Sequence, residues 1–217
     1  MKARPILFSG PMIRALLEGR KTQTRRAMRP QPSVVERVYG MPVFMWDKRS
    51  PNATEAAELV KKCPYGQSGD LLYCREAFSY QHDYETGQTF DDPHSTIHFW
   101  ADGNPDIGEW TRPKPSIHIP RWASRLTLLI TDVRVQVVRD ISEADAIAEG
   151  VQRDSDGWID YQTPGTQCCT SAVASYKTLW ESINGAGSWD ANPWCWALSF
   201  SVIRQNVDQV LAMKETA

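Results

Sequence analysis

The segment Trp194-Cys195-Trp196-Ala197-Leu198-Ser199-Phe200-Ser201-Val202 constrains the fold more than any other. A large apolar residue at every second position, with small residues between, is the period of a strand with one heavy face to cover. A second alternating stretch precedes it. Leu126, Leu128 and Ile130 keep one phase, and Val133, Val135 and Val137 keep the other. The slip at Thr131-Asp132 predicts a bulge, or two strands joined by a sharp bend. Two helices separate these stretches. Ser142 with Asp145 reads as an N-cap box, with Gly150 as the stop. Val173, Tyr176, Leu179, Trp180 and Ile183 trace one face of the other helix, which Asn184-Gly185 ends. Nearer the N-terminus, Ile6-Leu7-Phe8 and Leu71 to Phe78 read as strands. Pro11 opens a helix carrying Met12, Ile13, Leu16 and Leu17. Strands and helices do not alternate as in a doubly wound parallel sheet, so the expected class is α+β, a small mixed β-barrel with flanking helices.

Between these elements lie long Pro- and Gly-rich stretches, expected as insertions at about 27–68, 79–116 and 152–170. Glu55 to Lys62 is a short helix candidate within the first. With 217 residues the chain reads as a single domain over 1–204, its 205–217 tail either a short helix or disordered. The 24 basic and 26 acidic side chains nearly cancel, so overall charge points to neither a nucleic-acid coat nor a membrane surface. No apolar run approaches about 18 residues, and the N-terminal apolar run is too short for a signal peptide. The five cysteines, odd in number and without CxxC, fit reduced thiols in a cytoplasm. A metal site from Cys63, Cys74 and a histidine is the weaker alternative. Of His82, His94, His98 and His118 only His94 and His98 are four apart, and they fall in the loop-like stretch 79–116 rather than on a helix, so no metal and no cofactor is expected. Most of the nine tryptophans belong in the core. A phosphate-binding glycine loop is absent, which argues against a nucleoside triphosphatase.

The segment Gly19-Arg20-Lys21-Thr22-Gln23-Thr24-Arg25-Arg26 carries the most chemistry. Its four cations read either as a solvated basic turn or as a site for an anionic or polar substrate. Guanidinium groups present planar donors. A lysine stripped of water can act as a base, and Thr24 is then the hydroxyl it activates.

This segment resembles the G-x-K-T-x-T-x-R signature of ASCH domains, which share the PUA-like barrel. The resemblance continues in Gly69-Asp70-Leu71-Leu72-Tyr73-Cys74-Arg75-Glu76, in Asp140 to Gly150, and in the final helix and strand. Pro5 to Gly10, Ile117 to Arg125 and Ser188 to Trp194 are similar to long ASCH proteins of tailed phages and prophages. Some compact bacterial ASCH proteins are amidohydrolases that cleave N4-acetylcytidine to cytidine and acetate. The resemblance puts their lysine on Lys21, their threonine on Thr24 and their helix glutamate on Glu149. It implies a Thr24 nucleophile, a Lys21 base, an orienting Glu149 and an oxyanion partner in Arg26.

Glu149 is also odd on its own terms. A carboxylate in the last turn of a helix faces the negative end of the dipole, at a cost of about 0.3–1 kcal/mol. It reads either as an ordinary surface residue or as one paired with Lys21 or Arg26. Arg75 and Glu76 either read a cytosine edge or serve structure. His118, Arg121 and Trp122, with Arg125, form a second basic-aromatic cluster. There Trp122 is either a stacking platform or core. The expected partner is a small nucleoside or modified-base substrate, with RNA as the alternative. The rival functions are a non-catalytic RNA-binding module and a ribonuclease.

Overall fold

The computed structural model describes residues 1–38, 41–45, 54–81, 95–105, 108–155, 157–163 and 167–215. In chain order the elements are β1 (Ala3–Leu7), α1 (Gly10–Leu17), β2 (Gln23–Ala27), β3 (Ser33–Val38), β4 (Met41–Met45), β5 (Thr54–Glu55), α2 (Ala56–Val60), β6 (Leu71–Arg75), β7 (Phe78–Tyr80), β8 (Ile97–Phe99), β9 (Thr127–Val137), α3 (Glu143–Ala148), β10 (Trp158–Ile159), β11 (Gln167–Cys169), α4 (Ala172–Asn184), β12 (Trp194–Ile203) and α5 (Val207–Glu215). The class is α+β with mostly antiparallel pairing, and among the described residues no strand pairing closes a barrel. No helix among them is long and apolar enough to cross a membrane.

The chain divides into two compact units. The first comprises Met1–Gly19, Gly69–Ile130 and Ser201–Ala217, the second Arg20–Ser68 and Thr131–Phe200. The division in β9 falls where the alternation changes phase. β9 is nevertheless one strand, with Thr131 and Asp132 both exposed at the slip.

In the first unit β1 runs parallel to β6, from Ala3↔Leu71 to Leu7↔Arg75. β6 pairs antiparallel with the start of β9. The tail is the helix α5, not a disordered end. Val207 and Val210 are buried against Leu71, with Tyr73, Leu129 and Ile203 around them. Asn206 fixes the start of α5: its amide Nδ2 donates to the carbonyls of Arg121, Trp122 and Ser124 at 2.8–2.9 Å, and its Oδ1 accepts from Asp208 N at 2.8 Å.

In the second unit β2 pairs antiparallel with β12, from Cys195↔Ala27 to Ser199↔Gln23. β3, β4 and β5 form a small antiparallel sheet, and β10 pairs with β11, so the expected insertions at 27–68 and 152–170 carry structure of their own. The core gathers Tyr176, Trp180 and Trp189 with Cys195, Ile141 and Ala146. Side chains of this size bury about 150–250 Å² each, or roughly 4–6 kcal/mol apiece before entropy is subtracted. The helices are capped as their sequences require. Ser142 Oγ accepts from Asp145 N, and Ser171 Oγ from Ala174 N, both at 3.1 Å. The Glu143 carboxylate accepts from Ala172 N and Val173 N, so the first residue of α3 caps α4.

The strand β2 has no counterpart in the hydropathy pattern. It contains no large apolar residue, and only its partners explain it.

Candidate active site

The site is built where the C-terminus of α3 meets the approach to β2, both within the second unit. A helix leaves its last carbonyls without intrahelical donors. Here two of them, and the carbonyl of Gly150 just beyond, are taken by three consecutive residues. Thr22 N donates to Ala148 O at 2.8 Å, Lys21 Nζ to Glu149 O at 2.7 Å, and Arg20 Nη1 to Gly150 O at 2.8 Å. Two of these donors are cations, and they meet the negative end of the helix dipole. Glu149 is the C-cap residue of α3, and Gly150 turns the chain away with φ +89°, a conformation that suits glycine.

Lys21 Nζ also donates to Glu149 Oε2 at 2.8 Å. The pair spans 128 residues of sequence and is withdrawn from water, Lys21 fully and Glu149 to 4% exposure. The same contact settles why a carboxylate tolerates the wrong end of a helix. Burial pulls the Lys21 ammonium below the ordinary lysine range. Glu149 opposes that shift, while the Arg26 and Arg25 charges add to it.

Arg25 binds the outer edge of this pair. Its Nη1 reaches Glu149 Oε1 at 3.4 Å and Gln23 Oε1, and its Nη2 reaches Asp145 Oδ2 at 2.8 Å. Asp145 Oδ1 also accepts from Gln23 Nε2 at 3.0 Å and Arg134 Nη2 at 3.2 Å. Burial pushes the Asp145 carboxyl up, but hydrogen bonds from Arg134 and Gln23 and the Arg25 charge outweigh it, so its pKa lies below the ordinary range. Arg134 also pairs with Asp132 Oδ2 at 3.3 Å, so Lys21, Arg25 and Arg134 face three carboxylates. Arg25, Gln23 and Asp145 are functional candidates that a motif reading passes over. Their signal is the polar alternation Gln23, Arg25 on a strand that has no apolar face.

The register sets the remaining positions. Thr24 lies opposite Leu198 and Arg26 opposite Trp196. Alternation sends both to the face of β2 away from Gln23 and Arg25. Thr24 is 2% exposed. Lys21 and Glu149 are therefore in contact, whereas Thr24 sits with Arg26 on the other side of the strand. On that side Arg26 and Trp196 line a cavity of about 490 Å³.

The other expected substrate residues belong to the first unit, and the structure supplies partners for their structural reading. Arg75 donates from Nε and Nη2 to Ile119 O at 3.1 and 2.9 Å, and from Nη2 to Ile117 O, holding the turn at 117–119. Glu76 is 1% exposed, and both its oxygens accept from Arg125, each at 2.9 Å. That occupied carboxylate is not placed to read a base edge. Arg125 also clasps Asp102 at 2.6 and 2.8 Å and lies 4.1 Å from the centre of the Phe99 ring. Arg121 pairs with Asp208 at 2.6 Å, and Trp122 packs against the core of Phe78, Ile119 and Ala123. His118 is exposed on a short 3₁₀ turn.

Cys63, Cys74 and Cys195 are buried thiols and Cys169 a half-buried one, and burial pushes Cys195 up to about 12. Among the described residues no three His, Cys, Asp or Glu side chains gather as a metal site would require. His82 and His94 lie outside the described residues. No protein-family model matches the chain, and no curated protein and no solved structure is significantly similar to it.

Proposed function

We propose that this chain hydrolyses the amide of an N4-acylated cytosine nucleoside or a related modified base, on an elaborated PUA-like ASCH fold. The observation that carries the reading is the buried Lys21–Glu149 pair. The signature motif nominates Lys21, and a helix end far along the chain nominates Glu149; the two meet at 2.8 Å. A lysine held below its ordinary pKa by burial is a fitting general base.

In this reading Thr24 Oγ attacks the acyl carbon and its proton passes to neutral Lys21 Nζ. The C–N bond then breaks, and the cytosine amine leaves with the proton from Lys21. Water next attacks the acyl-threonine ester and gives its proton to Lys21; the bond from Thr24 Oγ to the acyl carbon breaks, Oγ takes the proton back from Lys21, and acetate departs. Arg26, on the Thr24 face of β2, offsets the charge developing on the acyl oxygen. Glu149 holds Nζ in the resting state and Thr24 faces the other side of β2, so the first step requires the approach to β2 to shift and the lysine to exchange Glu149 for Thr24 as substrate enters.

Acetate release from N4-acetylcytidine, with no added metal, tests the proposal. Lys21→Met and Thr24→Ala each lower the rate by about a hundredfold or more, and Thr24→Ser keeps part of it. Equal rates for wild type and folded Lys21→Met refute the mechanism. The second reading, a non-catalytic RNA-binding module, is favoured by the cationic, aromatic lining of the cavity beside Arg26. RNA binding with no acetate release replaces the hydrolase by that module. A chelator-sensitive cut in RNA replaces it by a ribonuclease.

A further inference from the structure

The cavity beside Arg26 has a sharply graded lining. Trp196, 4% exposed, is on its inner side. Arg26 and Tyr65 are half-buried, while Arg29, Lys62 and Asn184 are exposed at its edge. Three of the lining residues are cations, two are aromatic, and none is acidic. Protein surfaces ordinarily intersperse both signs of charge. Here the chain's surplus of acidic over basic residues makes an all-cationic rim more pointed. The Arg26 and Arg29 charges also act on the Tyr65 phenol, opposing the larger upward push of burial, so both guanidinium groups stand near that ring.

Such a lining suits a ligand with a flat aromatic part and an anionic end. Tyr65, half-buried, offers a π-face on which any base can stack, and the buried Trp196 lines the inner wall. Arg29 and Lys62 offer charge-assisted donors of the kind that phosphate oxygens take. Asn184 donates through Nδ2 to Trp180 O at 3.0 Å, which leaves its Oδ1 as an acceptor for an exocyclic amine. The volume of about 490 Å³ lies within the range of small-molecule sites.

We infer that this cavity binds a phosphorylated nucleoside, the base against Tyr65 and Trp196 and the phosphate at Arg29 and Lys62. The inference rests on the hydrolase reading only in choosing cytosine as the base. It extends that reading from a neutral nucleoside to one that carries phosphate, either as a free nucleotide or within a single-stranded polynucleotide.

Binding is measured by calorimetry on the full chain with unmodified ligands, so a failure of hydrolysis does not decide it. Cytidine monophosphate should bind about tenfold or more tighter than cytidine. Arg29→Gln and Lys62→Gln should each remove most of that preference while leaving cytidine binding unchanged. Both residues are exposed, so folding should survive. Tyr65→Ala should weaken both ligands, and Tyr65→Phe should restore them. A short cytidine oligonucleotide that binds while the monophosphate does not would locate the phosphate in a polynucleotide, within the same chemistry. Equal affinities for cytidine and its monophosphate overturn the inference. So does an affinity for the monophosphate that both rim variants leave intact, or inorganic phosphate binding as tightly as the monophosphate. No binding of either phosphorylated ligand overturns it as well.

Discussion

Glu149→Gln leaves Lys21 buried beside an amide instead of a carboxylate. Arg25, at 3.4 Å, cannot replace the lost charge, because it is itself a cation. Removing one partner of a buried ion pair costs about 3–5 kcal/mol. The variant can escape that cost by releasing the Lys21 proton. From an ordinary lysine pKa of about 10.4, deprotonation at pH 7 costs about 4.6 kcal/mol at 1.36 kcal/mol per unit, and this is the ceiling on the loss. At pH 9 the ceiling falls to about 1.9 kcal/mol. The loss should therefore fall to about 1.9 kcal/mol or less at pH 9. The sign follows from linkage: the unfolded chain holds the lysine proton and the variant's native state does not, so stability rises with pH up to the ordinary lysine value. Lys21→Met should behave differently. It leaves Glu149 with Arg25, so its loss is smaller and lacks the upward trend. Urea unfolding followed by tryptophan fluorescence, for which the chain carries nine tryptophans, reads both variants. A Glu149→Gln loss under about 1 kcal/mol at pH 7, or one that does not change with pH, refutes the charged, buried pair.

Asp145→Asn should flatten the acid limb of the stability curve. The depressed Asp145 pKa contributes stability that is present above the ordinary carboxylate range and is lost as pH falls through the lower native value, a slope visible in acid titration of unfolding. Asn206→Ala should cost about 1–3 kcal/mol by stripping three carbonyls of one donor. Hydrogen exchange should then rise in α5 and at 121–124 before the rest of the first unit. Ser142→Ala should cost about 1 kcal/mol and loosen α3, which carries Glu149, measured by the same unfolding assay.

Apolar period was legible and polar pairing was not. β12, the second half of β9 and α4 stand out because Trp196, Leu198, Phe200 or Tyr176 and Trp180 repeat at the spacing of one face. Glu149 was legible for the opposite reason, as a carboxylate at the helix end that repels it. β2 was not, since Gln23, Thr24, Arg25 and Arg26 carry no apolar face, and the residues that hold them, Asp145 and Glu149, lie about 120 positions away. The opposed faces of Thr24 and Arg25 follow from β2 being a strand, and so stayed hidden with it. Lys62 and Tyr65 sit in a stretch of prolines and glycines, where no period marks a shared cavity. Arg75 and Glu76 look alike in sequence whether they bind substrate or structure. Arg125 and the carbonyls at 117 and 119 decide between those uses, and only folding brings them together.

The most direct test of the central claim is the pH dependence of kcat/KM for acetate release from N4-acetylcytidine, in wild type and in Lys21→Met. A lysine base must be neutral to work, so the rate should rise with pH and level off below the ordinary lysine value of about 10.4. Lys21→Met, shown to be folded, should lose the activity and the rising limb with it. No acetate release at any pH contradicts the claim, and so does a rising limb that survives unchanged in Lys21→Met.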